Sequence, residues 1–246
     1  MKKAYFRFYE ELNDFLPKEK QKVKFEHSFL DRASVKDMIE SMGVPHTEID
    51  LILVNGTSAN FSHILNDGDD ISVYPVFEAF DISDVQHLRP KPLRNPKFIL
   101  DVHLGKLAKL LRITGIDSFY ENNYTDKRIV ELSLKFKRTI LTRDRGILKR
   151  NEVTHGYFVR NIMPEKQLKE VIIRFDLKKH LKHFSRCLKC NNILEEIEKD
   201  KIIDRIPPKV KLNQNEFYIC GICDKIYWKG THFKKMNDLV SKISMP

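Results

Sequence analysis

Cysteine is absent from the first 186 residues of this sequence. The four cysteines of the chain are Cys187, Cys190, Cys220 and Cys223, in two close pairs. So few thiols, grouped in this way, do not form the disulfide framework of a small secreted protein. They are typical of a reducing compartment and of a metal site.

Long apolar runs are also absent. No stretch of about 18 apolar residues occurs, which excludes a transmembrane helix. The first residues, Met1 to Arg7, alternate polar and apolar side chains, whereas a secretory signal has a continuous hydrophobic core. The sequence therefore predicts a cytoplasmic protein with no membrane association. No internal repeat is evident, so a solenoid is not expected.

Charge is unevenly distributed. The net charge is +10, yet residues 1–80 hold nine Lys and Arg against fourteen Asp and Glu, a balance of −5, and the remainder holds 35 against 20, a balance of +15. A strongly basic body attracts polyanions, of which RNA is the partner that we expect. The alternative is a basic surface that serves solubility alone.

The acidic segment, residues 1–80, has the pattern of a β-grasp domain. Ser34 is the expected cap of a helix that ends at Gly43. Period-two alternation and turn residues predict strands at 4–9, 21–27, 50–54 and 70–76, with a Pro17 turn joining the first two.

This segment resembles the ubiquitin-like sulfur carriers in Leu53-Val54-Asn55-Gly56 and in the Leu65 to Asp69 turn. Those carriers work through a free C-terminal Gly-Gly, where this chain has Phe77-Glu78-Ala79-Phe80-Asp81 and continues. We interpret the segment as a structural or docking module with a protein partner, and a sulfur-transfer accessory protein remains an alternative.

Residues 81–96, rich in proline and basic residues, are interpreted as a linker.

Residues 97–179 alternate strands with helices, which predicts a parallel α/β sheet. Ligands of such sheets bind beyond the carboxyl ends of the strands. Asp101 lies in the strand predicted over 98–102, and Asp144 lies at the end of the strand predicted over 139–142. Asp126 begins the helix after another strand, so these three carboxylates are expected at one edge and Asp117 at the other. Crowded carboxylates need a hard cation such as Mg²⁺ or Mn²⁺. The alternative is that these aspartates only cap helices and turns.

Three motifs in this region resemble the mutator-seven C-terminal RNase domain family, a PIN-like nuclease group. The motifs run from Asp101 to Arg112, from Gly115 to Asp117 and from Leu141 to Arg145. The resemblance implies metal-dependent RNA cleavage, with Asp101, Asp126 and Asp144 as the acidic ligands. Members of this type often carry a preceding ubiquitin-like domain and a following zinc ribbon, the arrangement that the sequence itself predicts.

Basic residues near these acids are candidate RNA contacts. A helix is predicted over 104–114, and its core face is formed by Leu104, Leu107, Ala108 and Leu111. Lys106, Lys109 and Arg112 have a spacing that places them opposite this apolar stripe, where they are expected to bind phosphates. A solvated helix face is the alternative. Arg143 and Arg145 flank Asp144 and are expected to contact the scissile phosphate.

Residues 180–246 are interpreted as a zinc-ribbon domain. Cys187-x₂-Cys190 and Cys220-x₂-Cys223 are two knuckles, with 29 residues between them that we expect to form a β-hairpin. Four thiolates fill the coordination sphere of one zinc ion, so this zinc is expected to be structural. The aromatic and basic stretch at Trp228–Lys235 is suited to RNA, or else Tyr227 and Trp228 pack over the small zinc core.

The fold class predicted is therefore α/β and α+β multidomain, with a β-grasp domain, a PIN-like parallel sheet domain and a zinc ribbon. The predicted function is a metal-dependent ribonuclease that hydrolyses RNA phosphodiester bonds, the zinc ribbon assisting RNA binding. A non-catalytic RNA-binding or ribosome-associated adaptor is the alternative.

Overall fold

A computed structural model describes residues 1–30, 32–75, 88 and 97–230. The chain groups into two compact units, one of Met1–Asn95 with Ser133–Phe158 and the other of Pro96–Leu132 with Val159–Pro246. Three predicted features lie outside the described residues: the linker apart from Leu88, the stretch Phe77–Asp81, and the basic end of the chain beyond Gly230. Within the described part, no helix is both long and apolar enough to cross a bilayer.

Strands and short helices make up both units. The strands are β1 (Lys2–Phe8), β2 (Phe25–Phe29), β3 (Ile49–Val54), β4 (Thr57–Ser58), β5 (Asp70–Pro75), β6 (Phe98–Leu100), β7 (Ser118–Phe119), β8 (Thr139–Thr142), β9 (Gly156–Phe158), β10 (Leu194–Ile197), β11 (Phe217–Cys220) and β12 (Ile226–Trp228). The α-helices are α1 (Val35–Ser41), α2 (Gly105–Ile113), α3 (Asp126–Phe136), α4 (Arg145–Leu148), α5 (Pro164–Arg174) and α6 (Pro208–Asn213).

The first 75 residues form the predicted β-grasp. The sheet has the order β2-β1-β5-β3-β4, with β1 antiparallel to β2 and parallel to β5. Period-two alternation in β1 buries Ala4, Phe6 and Phe8 and turns the residues between them outward. The predicted cap of α1 is confirmed, because the Asp37 backbone N–H donates to Ser34 Oγ at 3.1 Å.

The connection from β1 to β2 differs from the predicted Pro17 turn. Residues 10–15 and 18–20 form 3₁₀ helices, and β2 begins at Phe25, four residues later than expected. The buried Asn13 side chain stabilises this path, since its amide donates to Phe8 O at 3.0 Å and its oxygen accepts from the Lys22 N–H at 2.7 Å. Side-chain bonds of this kind to the backbone replace the regular turn.

The first unit also contains β8, α4 and β9, and side chains of the β-grasp bind this segment. β8 and β9 are parallel, with Ile140 opposite Gly156. Glu48 Oε1 accepts from the Phe158 N–H at 2.6 Å, and Lys149 Nζ donates to Glu40 O at 2.6 Å. His46 Nε2 lies 2.8 Å from Val153 O. The β-grasp therefore has an internal structural role, which is the structural alternative of the sequence prediction.

The second unit contains the strand and helix that carry the first motif. β6 pairs in parallel with β7, with Phe98 opposite Ser118. The predicted core face of α2 is confirmed, because Leu104, Leu107, Ala108 and Leu111 are buried. α5 packs against α2, and the ring centroids of Phe98 and Phe175 lie 5.0 Å apart. The parallel pairing of β6 with β7 and of β8 with β9 confirms the α/β class.

The cysteine-bearing part folds as a three-stranded antiparallel sheet in the order β10-β11-β12. β10 and β11 lie between the two cysteine pairs as expected, but a 3₁₀ helix at 199–205 and α6 connect them in place of a hairpin turn. Trp228 packs against the small core formed by Ile202, Ile206 and Phe217. The packing alternative for Trp228 is therefore confirmed.

Gly115 offers a test of this architecture. It has φ +85°, and an added Cβ would lie 2.2 Å from Lys182 O, so Gly115→Ala combines a left-handed strain with a backbone clash. We expect a loss of about 3 kcal/mol or more in the free energy of unfolding, measured by urea denaturation. Gly68 is the matched control, because it has the same φ of +85° but no atom lies within 4 Å of the position of an added Cβ. Gly68→Ala should lower stability by about 1 to 2 kcal/mol, and equal losses in the two variants would contradict the clash.

Candidate metal centre and RNA-binding residues

The four cysteines converge on one point. Their sulfur atoms all lie within 4.8 Å of one another, with 3.5 Å between Cys187 and Cys223 and 3.3 Å between Cys190 and Cys220. Zinc–sulfur bonds of about 2.3 Å in a tetrahedron separate the sulfurs by about 3.8 Å. The observed distances therefore bracket the spacing that a single tetrahedral metal ion requires.

Both knuckles have the same backbone geometry. The Asn191 N–H donates to Cys187 O, and the Asp224 N–H donates to Cys220 O, each at 2.9 Å. Asn191 and Asp224 both adopt left-handed φ values, +68° and +57°. Asn and Asp tolerate this conformation better than other non-glycine residues. The two pairs are thus equivalent loops that point two thiols each at the shared centre.

The electrostatics of the cluster favour a cation. Burial opposes ionisation of Cys187, but hydrogen bonds from the Tyr227 hydroxyl, at 3.1 Å, and from nearby backbone N–H groups lower its pKa to about 6. Burial raises the pKa of Cys190 to about 12 and also raises that of Cys223. Four thiolates cannot ionise together at neutral pH without a positive ion to hold them. The donor set therefore fits a bound metal.

Arg112 is buried, which contradicts its predicted place on an exposed RNA-binding face. Its side chain is 4% exposed, and its guanidinium donates to Ser118 O through Nε at 3.1 Å and Nη2 at 3.0 Å, and to Tyr120 O at 3.3 Å. Nη1 donates to Leu188 O at 3.0 Å and Lys189 O at 2.8 Å. Arg112 thus joins α2 to β7 and to the first cysteine knuckle, because the planar fork matches carbonyls on several sides.

Asp117 belongs to the same junction. It directly precedes β7, whereas Asp101 directly follows β6, the parallel neighbour of β7, so the two lie at opposite strand ends as predicted. Asp117 Oδ1 accepts from Asn191 Nδ2 at 2.8 Å, and Oδ2 lies 3.7 Å from Arg186. Asn191 Oδ1 accepts from the Ser118 N–H at 3.0 Å. Asp117 therefore holds the first knuckle in place.

Sequence reasoning missed Asn191 and Arg186 as supports of the cysteine centre, whereas the contact of Tyr227 with Cys187 agrees with its predicted packing over the zinc core. Arg186 Nε donates to Gly115 O at 3.0 Å, 71 positions away along the chain. Tyr227 reaches Cys187 across 40 positions. No local pattern marks partners this distant, although the position of Arg186 and Asn191 on either side of a knuckle could have drawn attention to them.

The predicted acidic ligands have different surroundings within their own units. Asp101 is 3% exposed and follows β6 at its carboxyl end, where it precedes a 3₁₀ turn at 102–104. Asp126 is exposed at the first position of α3, whose start Thr125 caps through the Arg128 N–H at 3.2 Å. Of these two acids, Asp101 is the one whose carboxylate is shielded from water.

Asp144 follows β8 and is the N-cap of α4. Its Oδ1 accepts from the Gly146 N–H at 2.6 Å, and it is exposed. The capping alternative is therefore observed for this residue. An N-cap carboxylate keeps its second oxygen for another ligand, so capping does not exclude a role in metal binding.

Arg145 has aromatic partners within the first unit. Its guanidinium carbon lies 5.0 Å from the ring centroid of Phe15 and 5.6 Å from that of Phe158, and Nη1 lies 3.4 Å from Phe15 O. Cation–π contacts of this kind fix the half-buried side chain to the β-grasp. The predicted contact of Arg145 with the scissile phosphate stays a prediction.

The remaining basic candidates differ in exposure. Lys106 and Lys109 are exposed on α2, as the sequence predicts, and Arg143 is half-buried between β8 and Asp144. Neither lysine is paired with a carboxylate in the part of the chain that the structure describes. Lys106 and Lys109 therefore remain candidates for phosphate contact.

Two family models match this chain, one over its N-terminal part and one over most of the remainder. The model of the Mut7-C RNAse domain matches residues 96–240, and the model of the Mut7-C ubiquitin domain matches residues 1–81. The comparisons with curated proteins and with solved structures gave no match. The first family match covers more than half of the chain, and together the two confirm the resemblance seen in the sequence motifs.

The role of Arg112 can be tested by stability. Arg112→Met removes the donors of five hydrogen bonds and leaves four carbonyls without their partner, so we expect the free energy of unfolding to fall by about 3 kcal/mol or more. Lys106→Met, on the exposed face of the same helix, should change it by no more than about 0.5 kcal/mol. Thermal and urea unfolding of both variants would measure this. Similar stabilities for the two variants would show that the Arg112 contacts contribute little.

Proposed function

The chain belongs to the Mut7-C RNAse domain family, and from that membership we propose that it is a metal-dependent ribonuclease that hydrolyses RNA phosphodiester bonds. The observation that carries the proposal is the family match over residues 96–240, which contains every acid predicted to bind the catalytic metal. The basic balance of the chain beyond residue 80 supports RNA as the substrate.

We assign the catalytic role to Asp101, Asp126 and Asp144. Asp101 and Asp144 each follow the carboxyl end of a parallel strand, and Asp126 begins a helix. α/β proteins bind their ligands beyond the carboxyl ends of the strands. Carboxylate oxygens are the donors that Mg²⁺ and Mn²⁺ prefer. Such a cation, when bound, neutralises these acids and supplies activated water and charge stabilisation at the phosphate. Asp101 contributes a carboxylate that is already desolvated.

We propose zinc as the ion of the four-cysteine centre, in a structural role. Four sulfur donors in two equivalent knuckles suit zinc and leave no open coordination position. Bonds from Arg112 and Asn191 connect the first knuckle to the residues around β7, so the ion also stabilises the RNase part.

A non-catalytic RNA-binding adaptor is the second candidate. One observation favours it: Asp144 already serves as a helix cap, which is sufficient reason for an aspartate at that position. In that case, the exposed lysines of α2 would bind RNA without cleavage.

Asp144→Asn separates these two roles of Asp144. Asparagine caps helices about as well as aspartate, so α4 should remain intact while the charge is lost. If Asp144 holds the catalytic cation, cleavage of a mixture of structured and single-stranded RNAs should fall by at least about a hundredfold with Mg²⁺ or Mn²⁺. RNA binding should persist.

Asp200→Asn is the matched control, because Asp200 is exposed and lies in the cysteine-bearing part of the chain. It should retain the wild-type rate. RNA cleavage that survives both EDTA and Asp144→Asn would contradict the proposal, whereas RNA binding with no cleavage by the wild type under either metal would favour the adaptor.

Elemental analysis tests the proposal of zinc. We expect one zinc per chain, and we expect Cys220→Ser to lower the zinc content and to destabilise the whole second unit, since the first knuckle is bonded to residues 112–120. Zinc release should increase as the pH falls, because protons compete for the thiolates. Gly221→Ser, next to the same ligand at an exposed position, should retain the zinc. Protein purified without chelator that contains no zinc would exclude this assignment.

A further inference from the structure

A groove of about 930 Å³ runs along the exposed side of α2 in the second unit. Its lining comes from four segments: α2 and the turn before it, residues 120–122 after β7, residues 162–167 at the start of α5, and the first cysteine knuckle. His103, two positions after Asp101, lines one part of it, and Lys189, between the ligands Cys187 and Cys190, lines another. The groove thus links the neighbourhood of Asp101 to the metal centre.

The charge of the groove is complementary to an RNA backbone. Lys106, Lys109 and Lys189 line it, all three are exposed, and none has a carboxylate partner in the residues that the structure describes. Glu121 is the acid among the lining residues. Lys106 and Lys109 are neighbours on one helix face, so they can bind adjacent phosphates of one strand.

The apolar lining favours unpaired bases. Ile162 and Met163 are 80% and 58% exposed, and both lie in the groove beside Tyr120. Single strands present base faces that stack on apolar and aromatic side chains, whereas a duplex keeps its base faces inside. A groove with free ammonium groups and exposed apolar side chains therefore suits a single strand.

The knuckle is held rigidly enough to act as part of a binding surface. Arg112 bonds the carbonyls of Leu188 and Lys189, which fixes the backbone of Lys189 while its side chain remains exposed. Tyr120 is also fixed, because its hydroxyl donates to Val102 O at 3.1 Å and its ring packs over Gly105, where an added Cβ would lie 2.5 Å from the hydroxyl. Preformed surfaces lose little entropy when a ligand binds.

We propose that this groove binds single-stranded RNA and directs it toward Asp101, with Lys189 of the metal knuckle as a phosphate contact alongside Lys106 and Lys109. The proposal rests on the proposed function and extends it: it specifies the form of the substrate and makes the cysteine-bearing part a component of the substrate site. The knuckle then has two roles, since its thiols hold the metal and its central lysine binds RNA.

The test uses the full chain and a fluorescein-labelled oligouridylate of about 12 nucleotides. Fluorescence anisotropy is measured without added Mg²⁺ or Mn²⁺, so that binding is independent of cleavage. Lys189→Glu should raise the Kd about tenfold and reduce the slope of log Kd against log salt by about 1. Because Lys189 is exposed, this variant is expected to fold, which zinc content and thermal unfolding would verify.

Lys201→Glu is the matched control. It makes the same charge reversal at an exposed lysine in the same part of the chain, outside the groove and paired with Glu198. Its Kd should stay within about twofold of the wild type. Equal weakening by the two variants, or a wild-type Kd in Lys189→Glu, would overturn the proposal. A duplex RNA of the same length that binds as tightly as the single strand would overturn the choice of substrate form.

Cleavage measurements distinguish a failure of this proposal from a failure of the ribonuclease assignment. Binding that depends on Lys189, with no cleavage by the wild type in Mg²⁺ or Mn²⁺, supports the groove and excludes the nuclease. Metal-dependent cleavage with the same kcat/KM in the wild type and Lys189→Glu supports the nuclease and excludes the groove.

Discussion

The guanidinium of Arg112 is the point on which the second unit depends. It donates five hydrogen bonds to four carbonyls, two that belong to or follow β7 and two inside the first cysteine knuckle. Burial disfavours its charge and lowers its pKa, and the carbonyl dipoles on several sides offset that penalty. A lysine has a single nitrogen and could not bond all four carbonyls at once. Without this fork, the knuckle would lose these two bonds to α2.

This junction gives the cysteine-bearing part a place in the nuclease. Residues 112–118 contain the family motif Gly115-Ile116-Asp117, and each end of that motif binds the segment that carries the first knuckle: Gly115 O accepts from Arg186, and Asp117 accepts from Asn191. These contacts give both ends of the motif a structural role. Since the knuckle is bonded at so many points, its backbone can carry Lys189 at a defined position in the groove.

The β-grasp has a comparable supporting role in the first unit. Arg145, next to Asp144, is held between Phe15 of the β-grasp and Phe158 at the end of β9. Glu40, Glu48 and His46 bond the same segment of the chain. A change in the β-grasp core would thus reach the helix that Asp144 caps, and this gives an ancillary domain a direct means of positioning a proposed catalytic acid.

The sequence by itself determined the features that depend on neighbouring residues. The cap of α1, the apolar stripe of α2, the bounds of β8 and the pairing of the four cysteines all follow from local periodicity, capping chemistry or metal-ligand spacing. The family motifs added the RNase assignment for the region around Asp101 and Asp144. Each of these needs only residues within a short stretch, or a spacing that the chemistry itself fixes.

Only the tertiary structure decided which charged side chains are available to a ligand. Lys109 and Arg112 are three positions apart on one helix and have the same sequence signal, yet Lys109 is exposed and Arg112 is buried under a knuckle that lies more than 70 residues further along the chain. Arg145 likewise contacts Phe15, which lies 130 positions away along the chain. The free energy of a buried charge depends on partners that the fold brings together, and no local pattern records those partners.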